Sequence, residues 1–264
     1  MEIEPGREAT LSVVIPAYNE EARLPGLLEK LAAEAESAAA AAGLRLLETL
    51  IVDDGSTDRT RALLEAAAQE NERLQPVLEY ERNRGKGAAF AAGALKAQGD
   101  YVLLADVDLS TPLRELGKLN AAIEAGADLA IGSRAVAGAV VERGPVHRKV
   151  LGNTFNGAVR MLTGLRVKDT QNGFKLFPAE PVKRYAAQQT CPGFAFDVEL
   201  LMRANQEGLR IAEVPILYMH DLRSSVRVVS ASSQMMREVA ALVYRLRVRK
   251  DSGSTDSADI VRPA

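Results

Sequence analysis

The sequence has no tryptophan and a single cysteine, Cys191. One thiol excludes intrachain disulfides and cysteine-based metal clusters, and it suits a reducing compartment. No apolar run approaches the roughly 18 residues of a membrane-spanning helix. The opening MEIEPGREAT is acidic and polar, where a secretory signal would be basic and then apolar. Charge of neither sign is in excess: the net charge of -2 argues against a nucleic-acid binder with a globally basic surface. A cytoplasmic protein is expected, with any membrane contact peripheral.

What is present is the composition of a folded chain. The 264 residues are 47% hydrophobic and 26% charged, enough apolar material for one large α/β domain. Short β-branched runs at 11–15, 47–53, 75–80, 101–107 and 128–133 alternate with helix-like stretches at 20–42, 57–70, 86–98 and 112–125. That alternation predicts βαβ units and a mostly parallel sheet flanked by helices. Residues 1–10 are expected as a flexible arm and 11–230 as the main domain. Beyond a basic stretch at 134–149, a helix is expected over 150–162, another over 196–208 and a proline-bearing edge strand over 209–219. Residues 231–250 are expected as a C-terminal amphipathic helix with Met235, Val239, Leu242 and Leu246 on one face, and 251–264 as a disordered tail.

Polar residues cluster where strands should end, which is where open α/β sheets bind ligands. PAYNE (16–20) follows the first strand, and Asn19 suits a helix cap there. VDDGSTD (52–58) sets Asp53 and Asp54 side by side, at a repulsive cost that a ligand donor or cation would relieve. ADVDLS (105–110) offers Asp106 and Asp108 as hard oxygen ligands, and Mg²⁺ needs only one or two carboxylates. NRGKGAAFAAG (83–93) lacks the spacing of a dinucleotide or P-loop fingerprint. It is a glycine turn before a helix whose small residues permit close packing. A basic group, Arg134, Arg143, Arg148 and Lys149, lies downstream, and Asp197 and Glu199 open a helix.

PAYNEEARLP, VDDGSTDRT, NRGKGAA, DVDLS, GSR, DTQNGFKLF and FAFDVELL occur in an order that resembles the family-2 glycosyltransferases of the GT-A fold. Within that family the chain is similar to the dolichyl-phosphate glucose and mannose synthases, and most to the β-glucosyltransferase branch. The resemblance spans about residues 10–225. It implies an inverting, metal-dependent enzyme moving a hexose from a nucleotide sugar, UDP-glucose or else GDP-mannose. The acceptor it implies is a polyprenyl phosphate, the alternative being a small hydroxylated molecule. Pro16, Tyr18, Glu20, Asp53, Asp54 and Lys86 would line the nucleotide pocket, with Asp54 accepting a hydrogen bond from the base. Asp106 and Asp108 would hold Mg²⁺ or Mn²⁺, and Arg134 and Arg148 would contact phosphates. Asp197 would take the proton of a hydroxyl acceptor.

Two departures from the family pattern stand out. Where the mannose synthases carry a glutamine two residues after the second aspartate, this chain has Ser110, a weaker ligand. A Gly-Ser-Lys-like element near the end is replaced by LRSSVRV (222–228), with Arg223 or Arg227 in the place of the lysine. Between 223 and 250 stand seven basic residues and one acid, Glu238. That segment suits an anionic bilayer, or else packing on the domain or on a second copy in a homodimer.

Overall fold

The structure is a computed structural model. It describes residues 7–77, 80–142, 146–219 and 228–248, with the backbone alone at 146–151, 153, 155, 228–234 and 247–248. The first half runs β1 (Thr10–Ala17), α1 (Leu24–Ala41), β2 (Arg45–Asp53), α2 (Thr60–Glu70), β3 (Leu74–Val77), α3 (Lys86–Lys96), β4 (Tyr101–Leu104), α4 (Leu116–Glu124) and β5 (Leu129–Ser133). The second half adds β6 (Val140–Glu142), α5 (Val146–Thr163), β7 (Lys175–Pro178), α6 (Ala179–Ala187), α7 (Phe196–Gln206), β8 (Ile211–Pro215), β9 (Leu217–Met219) and α8 (Val228–Val243). A π-helical turn, Tyr244–Val248, continues α8.

Seven strands form one sheet in the order β3-β2-β1-β4-β7-β5-β8, and β6 pairs with β9 apart from it. All pairings are parallel except those of β7, which runs antiparallel to both β4 and β5. The chain therefore winds from β1 to β2 and β3 on one side, then returns to place β4 on the other. That reversal opens a crevice at the carboxyl ends of β1 and β4.

The strands bury both faces, as a sheet covered on each side must. Val14, Leu50, Val52 and Leu104 face a core shared with α3, α6, α7 and α8. Val13, Ile15, Ile51 and Leu103 point the other way, toward α1 and α4. The small residues of α3 are needed for its approach: a Cβ on Gly93 would stand 2.5 Å from Val14 Cγ1. The close packing expected of that helix is present.

The largest departures from expectation lie in the second half. Neither β7 nor α6 is legible in the region between the 150–162 helix and Gly193, because β7 is four residues long and buried on both faces. The strand expected over 209–219 is two. β8 holds the sheet edge and ends at Pro215, which has no N–H to donate, and β9 crosses to β6. The described part of the 1–10 arm is tied down. Arg7 pairs with Asp100 at 2.6 Å, and the Thr10 N–H donates to the same carboxylate at 2.8 Å. Residues 1–6 and 251–264 lie outside the described residues.

The apolar face of α8 is spent inside the domain. Val239 and Leu242 are fully buried in the first core, with Met235, Met236 and Leu246 packed against it. A face used this way is not available to a bilayer, so the packing alternative stands. Leu242→Ala should lower unfolding stability by about 2–5 kcal/mol, the range for emptying a buried leucine site. Unchanged stability in chemical unfolding would return the helix to a bilayer role. Among the described residues no helix is long and apolar enough to cross a membrane.

Candidate active site

A cavity of about 360 Å³ fills the crevice between the ends of β1 and β4. Pro16, Tyr18, Glu20, Asp54, Lys86, Asp106 and Asp108 all line it, together with Arg23, Asn83 and Phe194. A second cavity, of about 450 Å³, lies between residues 190–192 and α8. It is bordered by Arg237, Glu238 and Arg245 and contains none of the strand-end aspartates.

The loop after β1 is fixed from the side. Asn19 sits at φ 53 and accepts a hydrogen bond from Thr57 N–H at 2.8 Å, so it clamps the neighbouring loop rather than capping α1. Glu20 is held by the Arg23 guanidinium at 2.6 Å. Burial raises the Glu20 carboxyl above its ordinary range, against the pull of Arg23.

Asp54 lines the cavity and is also bonded within the protein. Its carboxylate accepts from Asn83 Nδ2, Arg84 N–H and Gly85 N–H, each at 2.8 Å. The base contact expected of it competes with these three bonds. Gly85 is at φ 108, and a Cβ there would strike Pro192 O at 2.4 Å, so only glycine fits between the two loops. This latch starts α3 at Lys86, whose Nζ reaches Asp106 Oδ1 at 2.5 Å. Asp53 lies behind the wall, 1% exposed, with Oδ1 accepting from Ser56 N–H and Oδ2 buried without a partner among the described residues.

Asp106 and Asp108 occupy the turn after β4, where Leu109 adopts φ 44. A left-handed leucine is a strained conformation of the kind that collects at functional sites. Gly173 lies directly against Asp106: a Cβ there would fall 2.2 Å from Asp106 Oδ2. Burial would raise the Asp106 carboxyl, but the Lys86 ammonium outweighs it and holds the group low, so it is ionised. Asp108 Oδ1 accepts from Ser110 N–H at 2.9 Å, and among the described residues no ion pair neutralises Asp108. Two carboxylates opening into one cavity fit a hard divalent cation completed by phosphate oxygens and water. No group of three or more His, Cys, Asp or Glu side chains suited to a metal occurs among the described residues.

Arg134 follows β5. Its Nε and Nη2 donate to Asp169 at 2.7 and 2.8 Å, and its guanidinium stacks 5.0 Å from the Tyr218 ring centroid. Its charge helps hold Asp106 low, although Arg134 itself does not border the strand-end cavity. Asp197 is not brought to the cavity. It is 2% exposed, and Oδ1 is paired at 2.5 Å with Lys175 Nζ, itself fully buried. An acceptor-facing base is not what this geometry provides. Arg148 and Lys149 lie on α5 with their side chains outside the described residues, and Arg143, Arg223 and Arg227 lie outside the described residues altogether.

The model of glycosyl transferase family 2 matches residues 12–190 of this chain. The chain belongs to glycosyltransferase family 2. It is similar to dolichyl-phosphate beta-glucosyltransferase of Drosophila melanogaster, 34% identical over 81% of this chain and 68% of that one. The protein of the same description from Saccharomyces cerevisiae is 33% identical, covering 93% and 78%. Polyprenol monophosphomannose synthase of Mycolicibacterium smegmatis is 33% identical over 78% and 76%. The fold is that of mannosyl-3-phosphoglycerate synthase from Rubrobacter xylanophilus, at TM-score 0.66 and 20% identity over 94% of this chain and 77% of that one. Glucosyl-3-phosphoglycerate synthase of Mycobacterium tuberculosis, solved with Mn²⁺ and UDP-glucose, superposes at TM-score 0.63 and 22% identity over 89% and 78%.

The glycosyltransferase is thus an enzyme with the GT-A architecture expected of it. Phe194, Asn83, Arg23, Asp169 and Lys175 belong to or support its site without having been singled out in the sequence. All five stand inside quoted motifs, which was the available signal: Arg23 in PAYNEEARLP, Asn83 in NRGKGAA, Phe194 in FAFDVELL, and Asp169 and Lys175 in DTQNGFKLF. Their partners come from other strands and loops, so no local pattern marks their roles.

Proposed function

We propose that this glycosyltransferase moves glucose from UDP-glucose onto a polyprenyl phosphate with inversion at the anomeric carbon. The observation that carries the reading is an acidic pair opening into the cavity with a lysine set on one of its members. Asp106 and Asp108 open into the cavity, Lys86 touches one of them, and the charge of Arg134, held in a fixed fork by Asp169, acts on Asp106. The descriptions of the relatives, dolichyl-phosphate beta-glucosyltransferases among them, support a lipid-phosphate acceptor.

Pro16, Tyr18 and Glu20 would receive the nucleoside at the end of β1. Asp106 and Asp108 would hold Mg²⁺ or Mn²⁺, which when bound neutralises charge on the departing diphosphate. Lys86 adds a second positive charge at the same place. An acceptor phosphate oxygen forms the new bond to the anomeric carbon as the bond to the UDP oxygen breaks, and UDP leaves with the electron pair. The nucleophile is already an anion, so no proton has to be removed. Arg134 supplies the planar donors that align such a phosphate behind the sugar. The locked state of Asp197 disfavours the alternative, a neutral hydroxyl acceptor.

The test uses purified protein, Mg²⁺ or Mn²⁺, a polyprenyl phosphate and radiolabelled UDP-glucose, with GDP-mannose in parallel. Label should move from the aqueous phase into an organic extract, and more from UDP-glucose. Label that stays aqueous while UDP is released would overturn the lipid acceptor. A better yield from GDP-mannose would overturn the donor.

A further inference from the structure

We infer that Asp169 is a positioning residue that presets Arg134 for the acceptor phosphate, an inference that rests on the lipid-phosphate reading above. A free arginine on a loop after a strand would sample many rotamers and lose that freedom on binding. Here the freedom is already gone. Asp169 accepts from Arg134 Nε at 2.7 Å, Nη2 at 2.8 Å and the backbone N–H at 3.0 Å, fixing both ends of the side chain. Asp169 is itself 1% exposed, whereas the Arg134 side chain retains 32% exposure, so the fork is anchored inside and opens outward. Tyr218 covers one face of the guanidinium. Asp169 engages two of the five guanidinium N–H donors, and the others lie outside that fork.

A further layer fixes Asp169. The Glu213 carboxylate, on β8, accepts from Asp169 N–H at 2.8 Å, from Lys168 N–H at 2.9 Å and from Ser133 Oγ at 2.7 Å. It thereby ties the 168–169 loop to the end of β5, the residue before Arg134. Tyr218 is placed by β9, where the Met219 N–H donates to Ser110 O at 2.7 Å, next to the metal-binding turn. Glu213, Asp169 and Arg134 form a chain of charge-assisted bonds, and the Arg134 charge at its end acts on Asp106. A guanidinium held this way recognises a monoester phosphate by geometry as well as by charge. Asp169 touches no substrate in this arrangement and acts through Arg134.

Calorimetry with a short isoprenyl monophosphate and, separately, with UDP tests this on the full chain. Asp169→Asn should weaken isoprenyl phosphate binding about tenfold or more, toward the roughly hundredfold that an ångström of misplacement costs. UDP affinity should stay within about twofold, and the acceptor KM should rise with the donor KM unchanged. Arg134→Met/Asp169→Leu leaves no buried charge unpaired and guards against simple misfolding. It should bind isoprenyl phosphate no worse than Arg134→Met alone, because Asp169 has nothing left to position. Isoprenyl phosphate binding unchanged in Asp169→Asn would overturn the inference. So would UDP affinity and thermal midpoint falling together with it, which is the mark of a structural role. Loss of UDP binding alone would assign Arg134 to the donor instead. Wild-type protein that binds UDP and no isoprenyl phosphate would overturn the lipid-phosphate reading itself.

Discussion

In the double variant Asp106→Asn/Asp108→Asn, sugar transfer falls by about a thousandfold or more, while UDP still binds and the thermal midpoint moves little. The magnitude follows from the several kcal/mol of charge stabilisation that a metal provides, at about 1.4 kcal/mol per tenfold in rate. The fold is spared because the two side chains are not core. Asp106 is 35% exposed, and its partner Lys86 is 22% exposed, so loss of the pair leaves an ammonium that water still reaches. Asparagine also keeps the size that Gly173 was left bare to accommodate. A chelator should depress the wild type to a similar level and leave the variant where it is. A double variant with the wild-type rate, in either condition, would falsify the metal assignment.

Lys175→Met should cost about 3–5 kcal/mol of stability, the usual result of leaving one member of a buried ion pair alone. The Lys175 and Asp197 side chains are 0% and 3% exposed and 2.5 Å apart. Burial pushes the Asp197 carboxyl up, and Lys175, then Lys86, pull it back. Lys175 Nζ also donates to Asn172 O, which pins the turn that holds Gly173 against Asp106. The apolar exchange Lys175→Met/Asp197→Leu should regain most of the lost stability, since it removes both charges at once. Its activity should remain reduced, because nothing then pins the 172–173 turn. Chemical unfolding measures the first effect and UDP release the second. If Asp197→Asn kept full stability and lost all turnover, Asp197 would be a base after all.

The sequence by itself determined the parallel half of the sheet and the acidic pair at its edge. Those signals are local. A β-branched run followed closely by aspartates or PAYNE announces a strand and its carboxyl end, and β1, β2 and β4 follow that form. It also determined that α3 must pack closely, since alanine and glycine leave no other use for its face.

Only the tertiary structure decided what several of the named residues do. The expected base contact of Asp54 meets a carboxylate that already grips residues 83–85, some thirty positions away. Asp197 and Lys175 are 22 residues apart, and Arg134 and Asp169 are 35. They meet because β7 inserts antiparallel between β4 and β5, which no periodicity in KLFP foretells. The C-terminal helix was equally suited by pattern to a bilayer or a core, for an amphipathic stripe records that a face is apolar and not what covers it. Burial of Val239 and Leu242 in the core beside α5 and α7 decided it, because a side chain can be desolvated in only one place at a time.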